Sequence, residues 1–144
     1  MRRRLRGDRG SAALFVAVFA PAMIFMAGLV IDGGGALEAN QRAADIAEQA
    51  ARAAAGQCNV ALLRSVGTCY VDPGLVEPAV APYRKDVETL STALLYADPS
   101  RRDQPTGVRV TVTMTFHTTL LGIVPAFRTL PIRQSADAVA VTGL

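Results

Sequence analysis

The sequence has no tryptophan, one histidine (His117), one lysine (Lys85) and two cysteines in 144 residues. The scarcity of histidine and cysteine narrows the chemistry open to the chain. One histidine and two cysteines do not make a four-ligand zinc site without help from carboxylates. His117 closes an alternating strand pattern on the side away from the apolar face. It therefore reads as a solvated side chain rather than a proton-transfer group. The acidic residues are scattered through loops and helix faces, and no pair of them is set for acid–base work. A phosphate-binding glycine loop is also missing, because Gly33-Gly34-Gly35 follows a long apolar run and not a strand. The expectation is a non-enzymatic chain with no cofactor, no metal and no small-molecule substrate.

Positive charge is scarce where a nucleic-acid surface would need it. The net charge is +3, but Arg2, Arg3, Arg4, Arg6 and Arg9 all precede the apolar run, against the single acid Asp8. Beyond residue 10, ten basic residues face eleven acidic ones. A nucleic-acid binder carries its basic patch on the folded domain, so that class is set aside. The five arginines read instead as a topology signal that keeps the N-terminus cytoplasmic.

Charge is absent altogether from Ser11 to Ile31, SAALFVAVFAPAMIFMAGLVI. At about 1.5 Å per residue this run spans about 31 Å, the thickness of a bilayer's hydrocarbon core. Pro21 near its middle is compatible with a kinked membrane helix. A cleaved signal peptide would have a shorter apolar region, about 7–15 residues, ending in small residues. Phe25-Met26-Ala27 puts a bulky side chain where a small one is wanted, which favours a retained anchor. Asp32 closes the run, and Gly33-Gly34-Gly35 predict a flexible exit.

The remaining length, about 100 residues, is near the low end for a self-sufficient core. Help from a disulfide, a membrane or a partner is expected. Residues 36–56, ALEANQRAADIAEQAARAAAG, predict a strong helix with Gly56 as C-cap. Glu38 with Arg42, and Glu48 with Arg52, form i,i+4 pairs in the favourable orientation. Ala43, Ala47, Ala50 and Ala54 share one face. That face of small residues either packs the chain's own domain or receives a sister subunit. Cys58 and Cys69 pair if the segment is exported; free thiols or a metal are the alternatives. A bond over so short a loop would contribute about 2–3 kcal/mol.

Asp72-Pro73-Gly74 signals a turn, and Pro78 and Pro82 keep the following chain irregular. Tyr83, Val87, Leu90 and Leu94 recur at i, i+4, i+7 and i+11, predicting an amphipathic helix over 83–97. Residues 108–116, VRVTVTMTF, alternate cleanly and predict a strand with one buried face. A second strand is expected within 129–141, at an edge because of Pro131. The apolar segment 120–127, LLGIVPAF, folds into the core or lies on the membrane or a partner, with the core favoured. The architecture expected is α+β. A transmembrane helix continues into an alanine-rich helix, followed by a small exported domain with a short helix and an antiparallel sheet. The divisions are a basic tail (1–10), an anchor (11–31), the alanine-rich helix (32–57) and the exported domain (58–144).

Gly10, Gly28, Asp32 and Gly33, followed by Ala44 and Asp45 in Asn40-Gln41-Arg42-Ala43-Ala44-Asp45-Ile46-Ala47, form a combined pattern. A glycine-flanked aspartate at the membrane exit and an alanine-rich helix after it resemble the TadE/TadG-like proteins of the tight-adherence (Flp, type IVb) pilus system. The resemblance covers the first 56 residues. It implies a pilin-like outline and a single-pass protein of the bacterial cell membrane, with its C-terminal domain outside the cytoplasm. Its partners would be other pilus or secretion subunits, itself among them. Pilin-like members of the TadE type carry a glutamate five residues after the cleavage glycine. Here Phe15 stands at that distance from Gly10, and no acid lies between Ser11 and Ile31. That departure favours the TadG-like branch, which keeps its anchor. The alternative function is an anchored, exported binding module unrelated to pili, using the strand region and the 117–127 loop as its contact surface.

Overall fold

A computed structural model describes residues 8–141. Arg2, Arg3, Arg4 and Arg6 lie outside the described residues; Arg9 and Gly10 fall in the first turn of the first helix. That helix, α1, runs Asp8–Ala55 without interruption, with Pro21 inside it. The element order after it is α2 (Val60–Val66), α3 (Pro73–Val80), a 3₁₀ segment (Ala81–Asp86), β1 (Thr89–Leu95), β2 (Gly107–His117), two 3₁₀ turns (Leu121–Ile123 and Pro125–Phe127) and β3 (Thr129–Val139). The three strands form an antiparallel sheet in the order β1-β2-β3. This is the expected α+β class.

The glycines after Asp32 do not break α1. Each costs a helix about 1 kcal/mol relative to alanine. Ending the helix there would leave up to four carbonyls and four N–H groups without partners, a larger cost beside an apolar segment. A strong helix former on either side carries the helix through.

By internal contacts the chain forms two units, residues up to 36 with 117–130, and residues 37–116 with 131 onward. The second unit holds the core. Ala43, Ala47, Ala50, Ala51 and Ala54 of α1 are buried with Val76 and Val80 of α3, Leu90 of β1, Val108, Val110 and Val112 of β2 and Ile132 of β3. The face that sequence alone offered to a sister subunit is thus taken up inside the chain's own domain. The alanines have no bulk, so the valines of β2 fill the space, a large-against-small arrangement that packs densely. The Glu38–Arg42 and Glu48–Arg52 pairs both form, at 2.8 Å.

β2 alternates as its sequence predicts: Val108, Val110 and Val112 are buried, Met114 and Phe116 half-buried. β3 lies at the edge, where Pro131's missing N–H is tolerated. On its outer face Asp137 accepts two hydrogen bonds from the Arg109 guanidinium, both 2.6 Å. Gly107 is required by close approach, since a Cβ there would collide with the Ala138 carbonyl.

Two sequence expectations are corrected. Residues 83–97 are not a helix: Ala81–Asp86 is a 3₁₀ segment and Thr89–Leu95 is strand β1, paired with β2 from Thr89 opposite Thr113 to Leu95 opposite Gly107. Leu90 and Leu94 are four apart, a spacing that serves a strand face as well as a helix face. The β-branched Thr89 and Thr92, and the open edge of β2, decide for the strand. Asp72-Pro73-Gly74 is a helix start, not a free turn. Asp72 accepts from Gly74 N at 2.9 Å as N-cap, and Pro73 occupies the first helical position of α3.

Cys58 and Cys69 are joined as a disulfide with Cα atoms 5.2 Å apart. The bond closes around α2, which Asn59 caps through Ala61 N and Leu62 N, and which Gly67 ends in the left-handed conformation at φ 73°. Glycine is suited to that C-cap because a Cβ would be strained there.

Candidate functional site

Gly28 and Asp32 are one helical turn apart, so they share a face of α1. Asp32 is 2% exposed although it carries a carboxylate. Its burial is explained by three consecutive backbone donors. Thr119 N–H donates to Oδ1 at 2.8 Å, and Leu120 N–H and Leu121 N–H donate to Oδ2 at 2.9 and 2.6 Å. The Leu121 hydrogen bond, followed by those from Thr119 and Leu120, outweighs desolvation and holds the carboxyl below its usual range. The group is therefore an anion at physiological pH. It caps the start of the Leu121–Ile123 turn as an N-cap aspartate caps a helix, although it comes from a distant element.

One turn back, Gly28 admits Leu120. A Cβ at position 28 would stand 3.1 Å from the Leu120 Cβ, so the absent side chain is what lets the loop approach. The loop closes on itself at its base, where Thr118 N–H donates to the Arg128 carbonyl at 3.1 Å and the Thr118 hydroxyl donates to the Phe127 carbonyl. Ile24, Phe25 and Gly28 of α1 and Leu120, Leu121, Ile123 and Val124 of the loop enclose an apolar groove of about 110 Å³.

This placement corrects the preference for a core position of residues 120–127. None of them is buried; Ile123, Val124 and Phe127 are exposed. Two short 3₁₀ turns, Leu121–Ile123 and Pro125–Phe127, are joined by the extended Val124 and bring no continuous apolar face to a core. Sequence reasoning missed the Asp32 contact because its partner lies 87 residues away. The signal was present nonetheless, as an uncompensated acid and a glycine on one helix face at the end of an apolar run.

The other residues of the motif lie elsewhere. Gly33, Ala44 and Asp45 are exposed on α1, and Ala43, beside them in sequence, is buried in the domain core. His117 is exposed at the end of β2. Among the described residues no group of three or more His, Cys, Asp or Glu side chains is placed to hold a metal ion.

Residues 10–57 match the family model described as "Putative Flp pilus-assembly TadE/G-like". No curated protein and no solved structure matches the chain. The matched stretch is one third of the sequence and corresponds to nearly all of α1. It supports a relation to these pilus-assembly proteins through the segment that carries Gly28 and Asp32, the two residues on which the loop is built.

Proposed function

We propose that the protein is a membrane-anchored, non-enzymatic assembly or structural subunit of a tight-adherence (Flp, type IVb) pilus or a related secretion machine. The family match over residues 10–57 carries this reading. Residues 11–31 are the anchor, since α1 is long and apolar enough to cross a membrane and its large side chains from Leu14 to Ile31 are exposed. In water such a surface would aggregate. In a bilayer it is at home.

The chain crosses once, with residues 1–10 and their arginines in the cytoplasm, and residues 32–57 and 58–144 outside. The Cys58–Cys69 bond supports that orientation, because structural disulfides persist in oxidising compartments. The absence of an acid between Ser11 and Ile31 favours the TadG-like branch, which retains its anchor. A buried acid in lipid is costly and kept only for a purpose. Its partners are other pilus subunits. With the alanine face occupied inside the domain, they are met by the anchor and by the outer face of α1 that carries Ala44 and Asp45.

The test joins a chemical and a genetic measurement in the native host. The mass of the chain in carbonate-washed membranes should be that of the uncleaved sequence, with both thiols protected from alkylation until reduced. Deleting its gene should remove surface filaments. A soluble chain beginning after residue 27 would sink the anchor, and normal filaments in the deletion strain would sink the assembly role. A chain beginning at Ser11 would move the assignment to a processed filament subunit.

A further inference from the structure

The loop from Thr118 to Phe127 carries no charged side chain, and Ile123 at its tip is 80% exposed. Such a surface in water is a liability. Most of the loop's backbone donors, however, do not depend on solvent. The N–H groups of Thr119, Leu120 and Leu121 go to Asp32. Those of Thr118, Ile123, Val124 and Phe127 go to carbonyls of the same loop region, namely Arg128, Leu120, Leu121 and Val124. Pro125 has no N–H to satisfy. Seven of the nine N–H groups between Thr118 and Phe127 are thus provided for inside the chain, and those of Gly122 and Ala126 are left to solvent. Lipid-exposed irregular backbone does not occur in the hydrocarbon interior, so such a loop belongs at the headgroup boundary, where water still serves the two remaining groups.

Depth follows from the contacts on α1. Ile24 and Phe25 border the same groove as Ile123 and Val124. At 1.5 Å per residue, Ile24 lies about 12 Å along the helix from Asp32. With residues 11–31 in the bilayer, the loop runs beside the last two turns of the span. Interfacial elements bury their apolar faces about 5–10 Å deep, at the boundary of headgroups and acyl chains. Arg128 follows the loop directly, and its Nε–H donates to the Gly122 carbonyl at 3.4 Å.

We propose that residues 120–127 are a second membrane-inserted element, dipping into the leaflet at the Ile31 end of the span, with lipid acyl chains filling the groove bounded by Ile24, Phe25, Ile123 and Val124. This rests on the anchor reading of residues 11–31. Asp32 and Gly28 are the positioning residues: one accepts from three of the loop's backbone donors, the other lets the loop lie against the helix.

The lack of tryptophan makes the test direct. Full-length Ile123→Trp is reconstituted into vesicles of phosphatidylethanolamine and phosphatidylglycerol whose acyl chains are brominated. Leu29→Trp reports on the span, and Val66→Trp on the water-facing side of α2; all three positions are exposed in this structure. Ile123→Trp should be quenched by the brominated chains to an extent comparable to Leu29→Trp and shielded from aqueous acrylamide, with Val66→Trp the reverse. Adding Asp32→Ala should shift Ile123→Trp toward acrylamide and leave Leu29→Trp unchanged. If Leu29→Trp is quenched by the lipid and Ile123→Trp only by acrylamide, the loop proposal fails and the anchor stands. Shielding of Ile123→Trp from both quenchers would mean that protein covers the loop, which also overturns the proposal. If neither Leu29→Trp nor Ile123→Trp responds to brominated lipid, the anchor reading fails and the loop proposal falls with it.

Discussion

The two halves of α1 follow opposite rules of size. Between residues 12 and 31 the helix displays its largest side chains, and Phe15, Phe19, Ile24 and Val30 are all exposed. Between residues 43 and 55 it hides its smallest, with Ala43, Ala47, Ala50 and Ala54 at 0% exposure. The distribution of charge separates the two situations. The first half is apolar all round, as a helix surrounded by lipid is. The second is apolar on one stripe, with Glu38, Arg42, Glu48 and Arg52 on the other, as a helix packed on a sheet in water is. One continuous helix thus answers to two solvents, and the change falls near Asp32.

The sharpest way to break this comparison is to exchange the size rule. Ala47→Leu with Ala50→Leu forces six extra carbons into a packed core. We expect a loss of about 2–6 kcal/mol, from about 1–3 per overpacked site. Ala17→Leu with Ala22→Leu adds the same bulk on the exposed apolar half and should stay within about 0.5 kcal/mol of the parent. Denaturant titration of the full chain in micelles, followed by near-ultraviolet circular dichroism, measures both. Equal losses in the two pairs would show that the apolar half packs on something as tightly as the alanine half does.

The disulfide belongs wholly to the second unit. Cys58→Ser with Cys69→Ser should lower that unit's stability by about 2–3 kcal/mol, since the closed loop is short. Partitioning of the chain into membranes should not move. A variant that leaves the membrane fraction would mean that anchoring depends on the folded domain, contrary to the comparison drawn above.

Smaller and more local is the effect of Asp32→Ala. Amide exchange at Thr119, Leu120 and Leu121 should accelerate by about tenfold or more, because their acceptor is gone and local opening becomes easy. Val110 and Val112 in β2 should exchange as before. Acceleration across the sheet would show that the clamp stabilises the domain as a whole.

What was legible in the sequence had a local cause. The alternation of residues 108–116 has one period, and β2 obeys it. Pro131 could occupy an edge strand but not a central one, and β3 is at the edge. The stripe of alanines at 4-3-4 spacing marked a close-packed face, though not which surface would fill it. The failures came where two periods overlap or where the partner is remote. Leu90 and Leu94 fit a helix and a strand equally well, and only pairing with β2 separates them. Three glycines after Asp32 carry a high propensity to break a helix, yet the helix on either side overrides them. The site is the remote case: the loop's position depends on a carboxylate that the sequence places near the other end of the chain.

The smallest expected effect contrasts two aspartates. Asp32 is buried and bound by three backbone donors, whereas Asp137 sits half-exposed on the outer face of β3 with Arg109. The Arg109 hydrogen bonds, with a further coulombic contribution, hold the Asp137 carboxyl below its usual range despite some desolvation. A carboxyl whose folded pKa lies below its unfolded value stabilises the fold above the unfolded value, near about 3.9, and loses that contribution as pH falls through the folded pKa. The parent chain should therefore be slightly more stable than Asp137→Asn at pH 7, and the two should converge as pH falls through the lowered pKa of the folded state. Salt should narrow the gap at pH 7, because the pair is open to solvent and screened. Thermal melts of both chains over a descending pH series from pH 7, at low and high salt, measure it. A gap that depends on neither pH nor salt would mean that Asp137 contributes through packing or backbone geometry and not through its charge. The surface of the second unit would then have to be treated, like the Asp32 clamp, as geometry first.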